Sequence, residues 1–358
     1  MKVFFDARMI GHPGIGRYIK SLLRQILQNP ELELNILGDR ELIESFLGPQ
    51  KNIIYFNFPI YSVGEQFGFK ILKGTVKDNI LHIPHYNIPI MAKFKLVATI
   101  HDLNHILYPA GASSKLAPWY MKFMMQKVSK RAKKIIFVSN FTKECFTNLF
   151  PIQEQRAEVI PEGADDNFCK IEDNNYLEEM RVKYGLPLKF ILYVGSIRRH
   201  KNIDTLLKVF EKIKVKIPDL FLVLVGKFSH QISLVRKGVL YLGEVPRDKE
   251  LSAIYNLAQC FCNLSFQEGF GLTILEAQKC GTPVVCSDII THKETGEKGI
   301  LTTNPTDIDQ IQGDLYNVLT DNKLRNTLIQ KGFENVQRFR WQDTADKTMD
   351  VYRGLLKD

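Results

Sequence analysis

The segment spanning residues 260–287 contains a strand, a loop, a helix and a second strand. The strands are predicted for two mostly apolar runs, Cys260-Phe-Cys-Asn-Leu-Ser265 and Thr282-Pro-Val-Val-Cys-Ser287, which are typical of strands covered on both faces. Between them lie a loop with Glu268 and a predicted helix with Glu276 about two turns in. Two strands connected through a helix are parallel. The loop therefore lies at the carboxyl edge of a parallel sheet, where open α/β folds bind ligands.

Two glycines in this loop, Gly269 and Gly271, allow the backbone to approach a ligand closely. The helix that follows offers the N–H groups of its first turn to an anion. The same pattern also fits an ordinary connection between strand and helix that carries two surface glutamates.

A family resemblance favours the first interpretation. The run Ser265-Phe-Gln-Glu-Gly-Phe-Gly-Leu-Thr-Ile-Leu-Glu-Ala277, followed by Cys280-Gly-Thr-Pro-Val-Val285, resembles the donor-sugar signature of retaining GT-B glycosyltransferases. Family four, which includes many bacterial mannosyltransferases, is the most similar group. The resemblance implies that Glu268 contacts hydroxyls of the donor sugar and Glu276 holds the ribose of the nucleotide. It also assigns the intervening loop to the donor site: Gly269, Phe270, Gly271 and Leu272.

The chain is long enough for two domains, at 358 residues. Predicted strands and helices alternate along both halves, which indicates an α/β fold with a doubly wound parallel sheet in each half. The resemblance implies the GT-B architecture, in which two Rossmann-like domains face each other across a cleft. In that family the C-terminal helix crosses back to the N-terminal domain.

The domain boundaries follow from composition and from the resemblance. Residues 1–165, together with a C-terminal helix at 342–358, are predicted to form the N-terminal, acceptor-binding domain. Residues 171–341 are predicted to form the C-terminal domain that binds the nucleotide-sugar donor. The polar stretch Glu162–Asn175 is the predicted linker.

A basic turn begins the second half of the chain. It lies within Tyr193-Val-Gly-Ser-Ile-Arg-Arg-His-Lys-Asn202, and its Arg198, Arg199 and Lys201 favour a diphosphate leaving group. The resemblance implies that Lys201 is catalytic and pairs with the donor phosphates. Many relatives carry an arginine where this chain has Ser196, so Arg198, Arg199 or Ser196 itself would supply the second phosphate contact. A solvated basic turn is the alternative interpretation.

A second glycine-containing loop follows the first predicted strand, in Gly11-His-Pro-Gly-Ile-Gly-Arg-Tyr18. Gly14 and Gly16 resemble a phosphate-binding pattern, but the third glycine of a dinucleotide fingerprint is missing. The resemblance implies that this loop closes over the donor diphosphate and borders the acceptor. Acidic residues Glu33 and Asp39 flank the next strand, so a nicotinamide enzyme is not excluded by that test. Such an enzyme would leave the basic turn and the second glycine loop unexplained.

A histidine and an aspartate end another predicted strand, in Thr99-Ile-His-Asp-Leu-Asn104. The resemblance places His101 beside the reacting face of the donor sugar, as a catalytic residue. Asp102 either orients the His101 ring or caps a turn. Asp102 and His85 are assigned to the acceptor side. A structural role is the alternative for each histidine.

The predicted helix around residues 116–131 has an apolar face opposite a basic one. Trp119 and Phe123 lie beside the basic stripe that contains Lys122 and Lys130. Aromatic residues next to lysines are typical of a helix that lies on an anionic membrane surface. Solvated lysines above a core helix are the alternative.

The composition narrows the partners and the compartment. Lys and Arg exceed Asp and Glu by 48 to 39, which favours phosphate-rich or anionic partners, but no nucleic-acid motif is present. No apolar run is long enough for a transmembrane helix, and no signal peptide is recognised. The six cysteines form no CxxC pair, which indicates reduced thiols. We expect a cytoplasmic protein, peripheral on the inner membrane face.

No cofactor or metal is expected. Asp307-Ile-Asp309 resembles a metal-binding DxD motif, but it lies at a predicted helix start, where N-terminal capping explains it. The expected activity is retaining transfer of a sugar from a nucleotide-diphospho sugar to a glycan or polyprenol-linked acceptor in cell-surface polysaccharide synthesis. Mannose from GDP-mannose is the first candidate. The alternatives are a soluble disaccharide synthase or phosphorylase of the same fold, and a non-catalytic nucleotide-sugar-binding protein.

Overall fold

The chain folds into two compact α/β units. The computed structural model describes residues 1–12, 14–71, 79–91, 93–108, 116–196, 198–227 and 236–357. Unit 1 contains residues 1–163 and the segment from Trp341 onward, and unit 2 contains Ala164–Arg340. Each unit has its own parallel sheet with helices on both faces. The predicted fold class, α/β with two Rossmann-like domains, is confirmed.

The sheet of unit 1 has the strand order β3-β2-β1-β4-β5-β6-β7, and all its pairings are parallel. Its strands are β1 (Lys2–Asp6), β2 (Glu33–Gly38), β3 (Ile53–Tyr55), β4 (Ile80–Ile83), β5 (Lys95–Ile100), β6 (Lys134–Phe137) and β7 (Ala157–Val159). The order reverses direction between β1 and β4. That point is the topological switch, where the carboxyl ends of the strands open a crevice for a ligand.

The helices of unit 1 cover both faces of this sheet. They are α1 (Ile15–Ile26), α2 (Arg40–Leu47), α3 (Val63–Ile71), α4 (Asn104–Leu107), α5 (Ala117–Arg131), α6 (Asn140–Leu149) and α14 (Trp341–Lys357). The last helix packs on α1 through a shared apolar core. A buried hydrogen bond of 2.6 Å between the Tyr352 hydroxyl and His82 Nδ1 also fixes it to β4. The C-terminal helix is therefore part of the first unit.

The sheet of unit 2 has the order β10-β9-β8-β11-β12-β13, again with parallel pairings. Its strands are β8 (Phe190–Val194), β9 (Phe221–Val225), β10 (Val239–Gly243), β11 (Cys260–Asn263), β12 (Val284–Ser287) and β13 (Ile300–Thr303). The strand β13 was not predicted, because Ile300–Thr303 is short and only half apolar. It is found by its pairing with β12.

The helices of unit 2 are α7 (Asn174–Tyr184), α8 (Ile203–Lys216), α9 (Asp248–Leu257), α10 (Leu272–Lys279), α11 (Ile290–Gly296), α12 (Ile308–Thr320) and α13 (Asn322–Val336). Asp307 caps α12, because its carboxylate accepts hydrogen bonds from the backbone N–H groups of Asp309 and Gln310. Capping is therefore the role of Asp307, as predicted. No helix in the described part of the chain is both long enough and apolar enough to span a bilayer.

Candidate functional site

The loop between β11 and α10 places Glu268 at the carboxyl edge of the unit 2 sheet. Gly271 ends the loop with a φ of 104°, a left-handed conformation that favours glycine, and α10 begins at the next residue. Glu268 is thus fixed between a buried strand and the first turn of a helix. The strand, loop and helix predicted for this segment are confirmed.

Lys201 contacts Glu268 directly. Its Nζ lies 2.6 and 2.7 Å from the two carboxylate oxygens of Glu268. Lys201 ends a short 3-10 turn, Arg199–Lys201, that follows β8. The backbone N–H of Phe266 donates to the carbonyl of His200 at 2.8 Å and joins the two loops. Two residues that are 67 positions apart in sequence therefore meet at one edge of the sheet.

The carboxylate of Glu268 is held in its charged form. Burial alone would raise its pKa, but the charges and hydrogen bonds around it, the charge of Lys201 first, together outweigh burial and lower the pKa of Glu268 to about 2. Ser265 Oγ lies 2.7 Å from Glu268 Oε1, and Asn263 Nδ2 donates to the same oxygen at 3.4 Å. A mostly buried ion pair with hydrogen-bonded support is the result.

Helix α11 holds the Glu268 loop through side-chain hydrogen bonds, which the sequence analysis did not predict. The Thr291 hydroxyl donates to the carbonyl of Glu268 at 3.0 Å, and the Thr295 hydroxyl donates to the carbonyl of Phe270. Both threonines are buried. Because a trans peptide points its C=O and the following N–H in opposite directions, the N–H groups of Gly269 and Gly271 point away from α11. The helix thus sets the orientation of the loop backbone.

His292, in the same helix, is buried close to Glu268. Burial lowers the pKa of His292 to about 4, although the charge of Glu268 partly opposes that shift. Its Nδ1 lies 3.0 Å from the carbonyl oxygen of Ser287, so Nδ1 carries the proton in the neutral ring. Lys201 therefore faces Glu268 without a second positive charge from His292 at neutral pH. Spacing alone gave no signal for Thr291, His292 or Thr295.

The other residues of the predicted donor loop are partly buried. Glu276, in the second turn of α10, is buried and accepts a hydrogen bond of 3.1 Å from the Tyr255 hydroxyl. The Phe270 ring packs edge-on against Phe339, with ring centroids 5.7 Å apart. Phe270 therefore presents backbone, not its ring, to a ligand. Gly269, Gly271 and Leu272 are half-buried.

The three basic side chains of the turn that contains Arg198, Arg199 and Lys201 differ in their surroundings. Arg198 and Arg199 are exposed, whereas Lys201 turns inward to Glu268. The Tyr193 hydroxyl donates to the backbone carbonyl of Ser196 at 3.2 Å and fixes that part of the turn. Both arginine side chains are therefore accessible to an anion from solvent.

In unit 1, His101 is held on both sides of its ring. Its Nδ1 lies 2.9 Å from Glu162 Oε1, and its Nε2 lies 3.1 Å from the carbonyl oxygen of Pro84. Both partners are acceptors, so both contacts are hydrogen bonds only when both nitrogens carry protons. Glu162 orients this ring, which the sequence analysis did not anticipate.

Asp102 and His85 lie nearby with different roles. Asp102 accepts a hydrogen bond of 2.8 Å from the backbone N–H of Asn104, so of the two roles left open it caps a turn. His85 is buried; its Nδ1 accepts from the Asn87 N–H at 3.0 Å, and its Nε2 lies 3.7 Å from Asp6. The assignment of His85 to the acceptor side stays a prediction; in this structure its ring lies next to Asp6.

The first glycine loop begins α1. Gly14 precedes the helix with a φ of 75°, and Gly16 lies in its first turn. A Cβ at Gly16 would collide with the carbonyl oxygen of Ile10, so this glycine is needed for packing. Gly14 has open space around it and can approach a ligand.

Helix α5 has the two faces that the sequence predicted. Its buried side contains Met121, Met124, Met125, Val128 and, just beyond the last turn, Ala132. On the other side Trp119 is 73% exposed, and Lys122, Phe123 and Lys130 are exposed as well. An aromatic and basic surface is therefore present at this helix.

Comparisons with known proteins identify the family of this chain. Residues 178–335 match the family model of group 1 glycosyl transferases, and residues 36–168 match that of glycosyltransferase family 4. O-antigen chain mannosyltransferase B of Escherichia coli is 26% identical over 99% of this chain and 100% of that protein.

Solved structures share the fold. Sucrose-phosphate synthase of Thermosynechococcus elongatus superposes with a TM-score of 0.77 at 20% identity and covers 100% of this chain and 99% of that one. Anabaena Alr3699/HepE in complex with UDP-glucose gives a TM-score of 0.79 at 17% identity over 99% and 100% of the two chains. The two family models together span most of both units, and the chain belongs to the group 1 glycosyltransferases of family four.

Proposed function

We propose that this protein is a retaining glycosyltransferase that moves mannose from a nucleotide-diphospho sugar, with GDP-mannose the first candidate. The acceptor is a glycan or a polyprenol-linked glycan in cell-surface polysaccharide synthesis. The contact between Lys201 and Glu268 is the observation that carries the transfer chemistry. Mannose and the polysaccharide setting are supported by the E. coli O-antigen mannosyltransferase, which aligns along the full length of both chains.

The ion pair suggests how the donor is received. Without a donor, Lys201 neutralises Glu268. A donor diphosphate would compete for the Lys201 ammonium, and the released Glu268 oxygens would accept hydrogen bonds from the sugar hydroxyls. As the bond between the sugar carbon and phosphate oxygen breaks, Lys201 stabilises the charge that develops on the diphosphate. The acceptor hydroxyl forms the new bond on the same face and gives its proton to the departing diphosphate oxygen, so no covalent enzyme intermediate is needed.

Three further groups of residues would contact the donor in this proposal. Glu276 would hold the ribose, with the Tyr255 hydroxyl bond as its support. Gly269 and Gly271 would present their backbone N–H groups to the donor. The carbonyls of the residues before them point toward α11, which holds them through hydrogen bonds. Arg198 or Arg199 would turn toward the diphosphate. No metal is required, because these cations neutralise the leaving group.

A donor screen tests the proposal. Purified protein is incubated with GDP-mannose, UDP-glucose, UDP-galactose and UDP-N-acetylglucosamine, with and without EDTA, and products are detected by mass spectrometry. We expect transfer or slow hydrolysis of GDP-mannose, unchanged by EDTA. NMR of the released anomer shows retention. Inversion at the anomeric carbon would refute the retaining mechanism. Activity that needs a divalent metal would refute metal independence.

A soluble synthase of the same fold is the second candidate. The similarity to sucrose-phosphate synthase covers both chains almost completely, although it speaks for the fold alone. A synthase would use a small free or phosphorylated sugar as acceptor. Adding mannose 6-phosphate, fructose 6-phosphate and inorganic phosphate to the same screen separates the two. A disaccharide product, or a sugar phosphate formed from inorganic phosphate, would favour the second candidate.

The exposed surface of α5 supports peripheral attachment to an anionic membrane on the cytoplasmic side. Trp119 and Phe123 provide apolar area, and the Lys127 ammonium lies 4.9 Å from the centre of the Phe123 ring. Lys122 and Lys130 add charge that an anionic lipid surface attracts. A lipid-linked acceptor would then be available at the same surface.

Vesicle sedimentation tests this attachment. Wild-type protein should sediment with vesicles that contain phosphatidylglycerol and should be released by high salt. A Trp119→Ala, Phe123→Ala variant should sediment several-fold less, because interfacial apolar area is lost. Tyr316→Ala in α12, also on the surface, is the matched control. Equal sedimentation of all three proteins would reject this surface.

A further inference from the structure

Tyr61 is held in an unusual conformation on the surface of unit 1. Its φ is 68°, in the left-handed region that large side chains rarely adopt. Its side chain is nevertheless 49% exposed, so burial of the ring does not explain the conformation. Backbone strain of this kind persists only where the surrounding structure enforces it, and such positions cluster at ligand sites.

A buried charged network enforces it. The Tyr61 N–H donates to Glu65 Oε2 at 2.9 Å, and the fully buried Glu65 receives Arg8 Nη2 at 2.7 Å on its other oxygen. Arg8 also binds both oxygens of Asp6, at 2.8 and 2.5 Å. Asn87 donates to Glu65 at 2.5 Å. The Tyr61 backbone is thus connected through Glu65 and Arg8 to the end of β1.

Three tyrosines form one aromatic surface there. The Tyr61 ring is stacked on that of Tyr86, with centroids 6.0 Å apart and planes inclined by 28°. It meets the edge of Tyr120, from α5, at 5.8 Å. The Tyr120 hydroxyl donates to Asn87, so this ring is tied to the same network. We call Tyr61, Tyr86 and Tyr120 the tyrosine platform.

The platform lies at the topological switch of the unit 1 sheet. Asp6 ends β1, Tyr86 follows β4, and Asp102 follows the neighbouring β5. Ligands of open parallel sheets bind outside the carboxyl ends of the strands at this point. The half-buried Asp102 lies close enough for its charge to contribute to the raised pKa values of Tyr61 and Tyr86, which are due first to burial.

The chemistry of the platform selects a class of ligand. Among the described residues, its charged surroundings include the carboxylates of Asp6, Glu65 and Asp102 and the guanidinium of Arg8, which is already bound to two of them. A net negative environment disfavours phosphate and anionic lipid headgroups. Exposed aromatic faces attract apolar C–H surface, while tyrosine hydroxyls and a carboxylate accept or donate hydrogen bonds at the rim. A neutral sugar ring has both kinds of surface.

We infer that the tyrosine platform binds a pyranose ring of the acceptor glycan, with Tyr61 as the stacking surface and Asp102 as a hydroxyl acceptor. This inference rests on the proposed transferase function and specifies its acceptor as an uncharged sugar ring. It assigns the substrate contact in unit 1 to Tyr61, Tyr86, Tyr120 and Asp102. The buried His85 lies behind Asp6 and takes no direct part.

Direct sugar binding tests the inference without relying on transfer. Wild-type protein is titrated with mannose, glucose, galactose and N-acetylglucosamine disaccharides, followed by saturation-transfer NMR. Tyr61→Gly suits the left-handed backbone, so it removes the ring without adding strain. We expect at least one disaccharide to bind wild type and its affinity to fall about tenfold in Tyr61→Gly. Tyr61→Phe should keep most of the affinity, because it keeps the ring.

Two controls locate the effect. Tyr55→Ala removes another exposed tyrosine of unit 1 and should bind as wild type does. GDP affinity and vesicle sedimentation should be the same in Tyr61→Gly and wild type.

The inference is overturned if the wild-type protein binds none of the disaccharides, or if Tyr61→Gly has the same sugar affinity as wild type. Loss of vesicle binding in Tyr61→Gly with sugar binding intact also overturns it. If the donor screen fails but Tyr61 governs sugar binding, only the proposed transfer is refuted.

Discussion

At the scale of residues, the charged state of Glu268 depends on Lys201. Glu268 is mostly buried, and burial raises the pKa of a carboxylate unless a cation compensates. Lys201 provides that cation, which explains why the pKa of Glu268 falls to about 2. Removing one partner leaves the other charged and desolvated, which is more harmful than removing both.

A double-mutant cycle measures this dependence. Lys201→Met should lower the free energy of unfolding of unit 2 by about 3 kcal/mol, because Glu268 is left unpaired. Adding Glu268→Gln should restore most of that loss, while transfer stays about 10²–10³-fold below wild type in every variant. Urea unfolding and kcat/KM are the two measurements. Glu297→Gln, an exposed glutamate of the same unit, is the control. Additive stability losses, or near-normal turnover in Glu268→Gln, would contradict the assignment.

Both members of this pair were predicted from the sequence, and the reason is local. A glycine loop between a buried strand and a helix fixes where Glu268 lies, and a basic turn after another strand fixes Lys201. Thr291 and Glu162 were missed because their contacts with the site run through a backbone carbonyl and a histidine ring. Such contacts leave no spacing pattern in a single sequence. The ribose role of Glu276 and the phosphate role of the arginines stay predictions.

At the scale of elements, α11 acts as the support of the donor loop. Its two buried threonines each hold one carbonyl of the loop, and its histidine stays neutral beside Glu268. The end of this helix is itself held by unit 2: Asn335 and Gln278 donate to the carbonyls of Thr295 and Gly296, respectively. The loop orientation is thus anchored in the core of unit 2.

Replacing the hydroxyls tests this support. In Thr291→Val the hydrogen bond to Glu268 is lost while the branched shape stays, and we expect a loss of stability of about 1 kcal/mol. The KM for the sugar donor should rise several-fold, since the loop backbone is no longer fixed. Thr291→Ser should restore KM, because the hydroxyl returns. Steady-state kinetics at varied donor concentration measure this KM. A donor KM in Thr291→Val equal to that of wild type would count against a positioning role.

The existence and order of the strands could be predicted from the sequence, because runs of apolar residues and glycine turns mark them. The exception, β13, carries two threonines among its four residues and depends on pairing with β12. The tyrosine platform could not be predicted for a different reason. Its members come from three separate segments, and the positive φ of Tyr61 has no signature in a sequence without glycine or asparagine at that position.

At the scale of the whole molecule, each unit contains a fully buried histidine whose pKa is lowered. Burial, with a contribution from the charges of His101 and His85, lowers the pKa of His82 in unit 1 to about 3. Burial lowers the pKa of His292 in unit 2 to about 4. An unfolded imidazole has a pKa near 6.5. Unfolding at mildly acidic pH therefore takes up a proton at each of these histidines.

The sign of the pH dependence follows. Stability contributed by a neutral buried histidine is present above pH 6.5 and is lost as pH falls toward the folded pKa. Each unit should lose about 1.4 kcal/mol per pH unit between pH 6 and pH 4.5 from this cause. Urea unfolding at several pH values, followed by circular dichroism, gives the slope. His82→Gln should flatten it in unit 1. A wild-type stability that is constant over this range would disprove the assignment.

The position of α14 has a consequence for biosynthesis. Unit 2 is encoded entirely by an uninterrupted stretch, whereas unit 1 needs Trp341 and the residues after it to cover α1. On a ribosome, residues 164–340 are therefore able to reach their final structure before the first 163 residues can. The apolar surface of α1 that α14 covers stays open until residues 341–357 have been translated, so we expect this half of the nascent polypeptide to be the more exposed to chaperones.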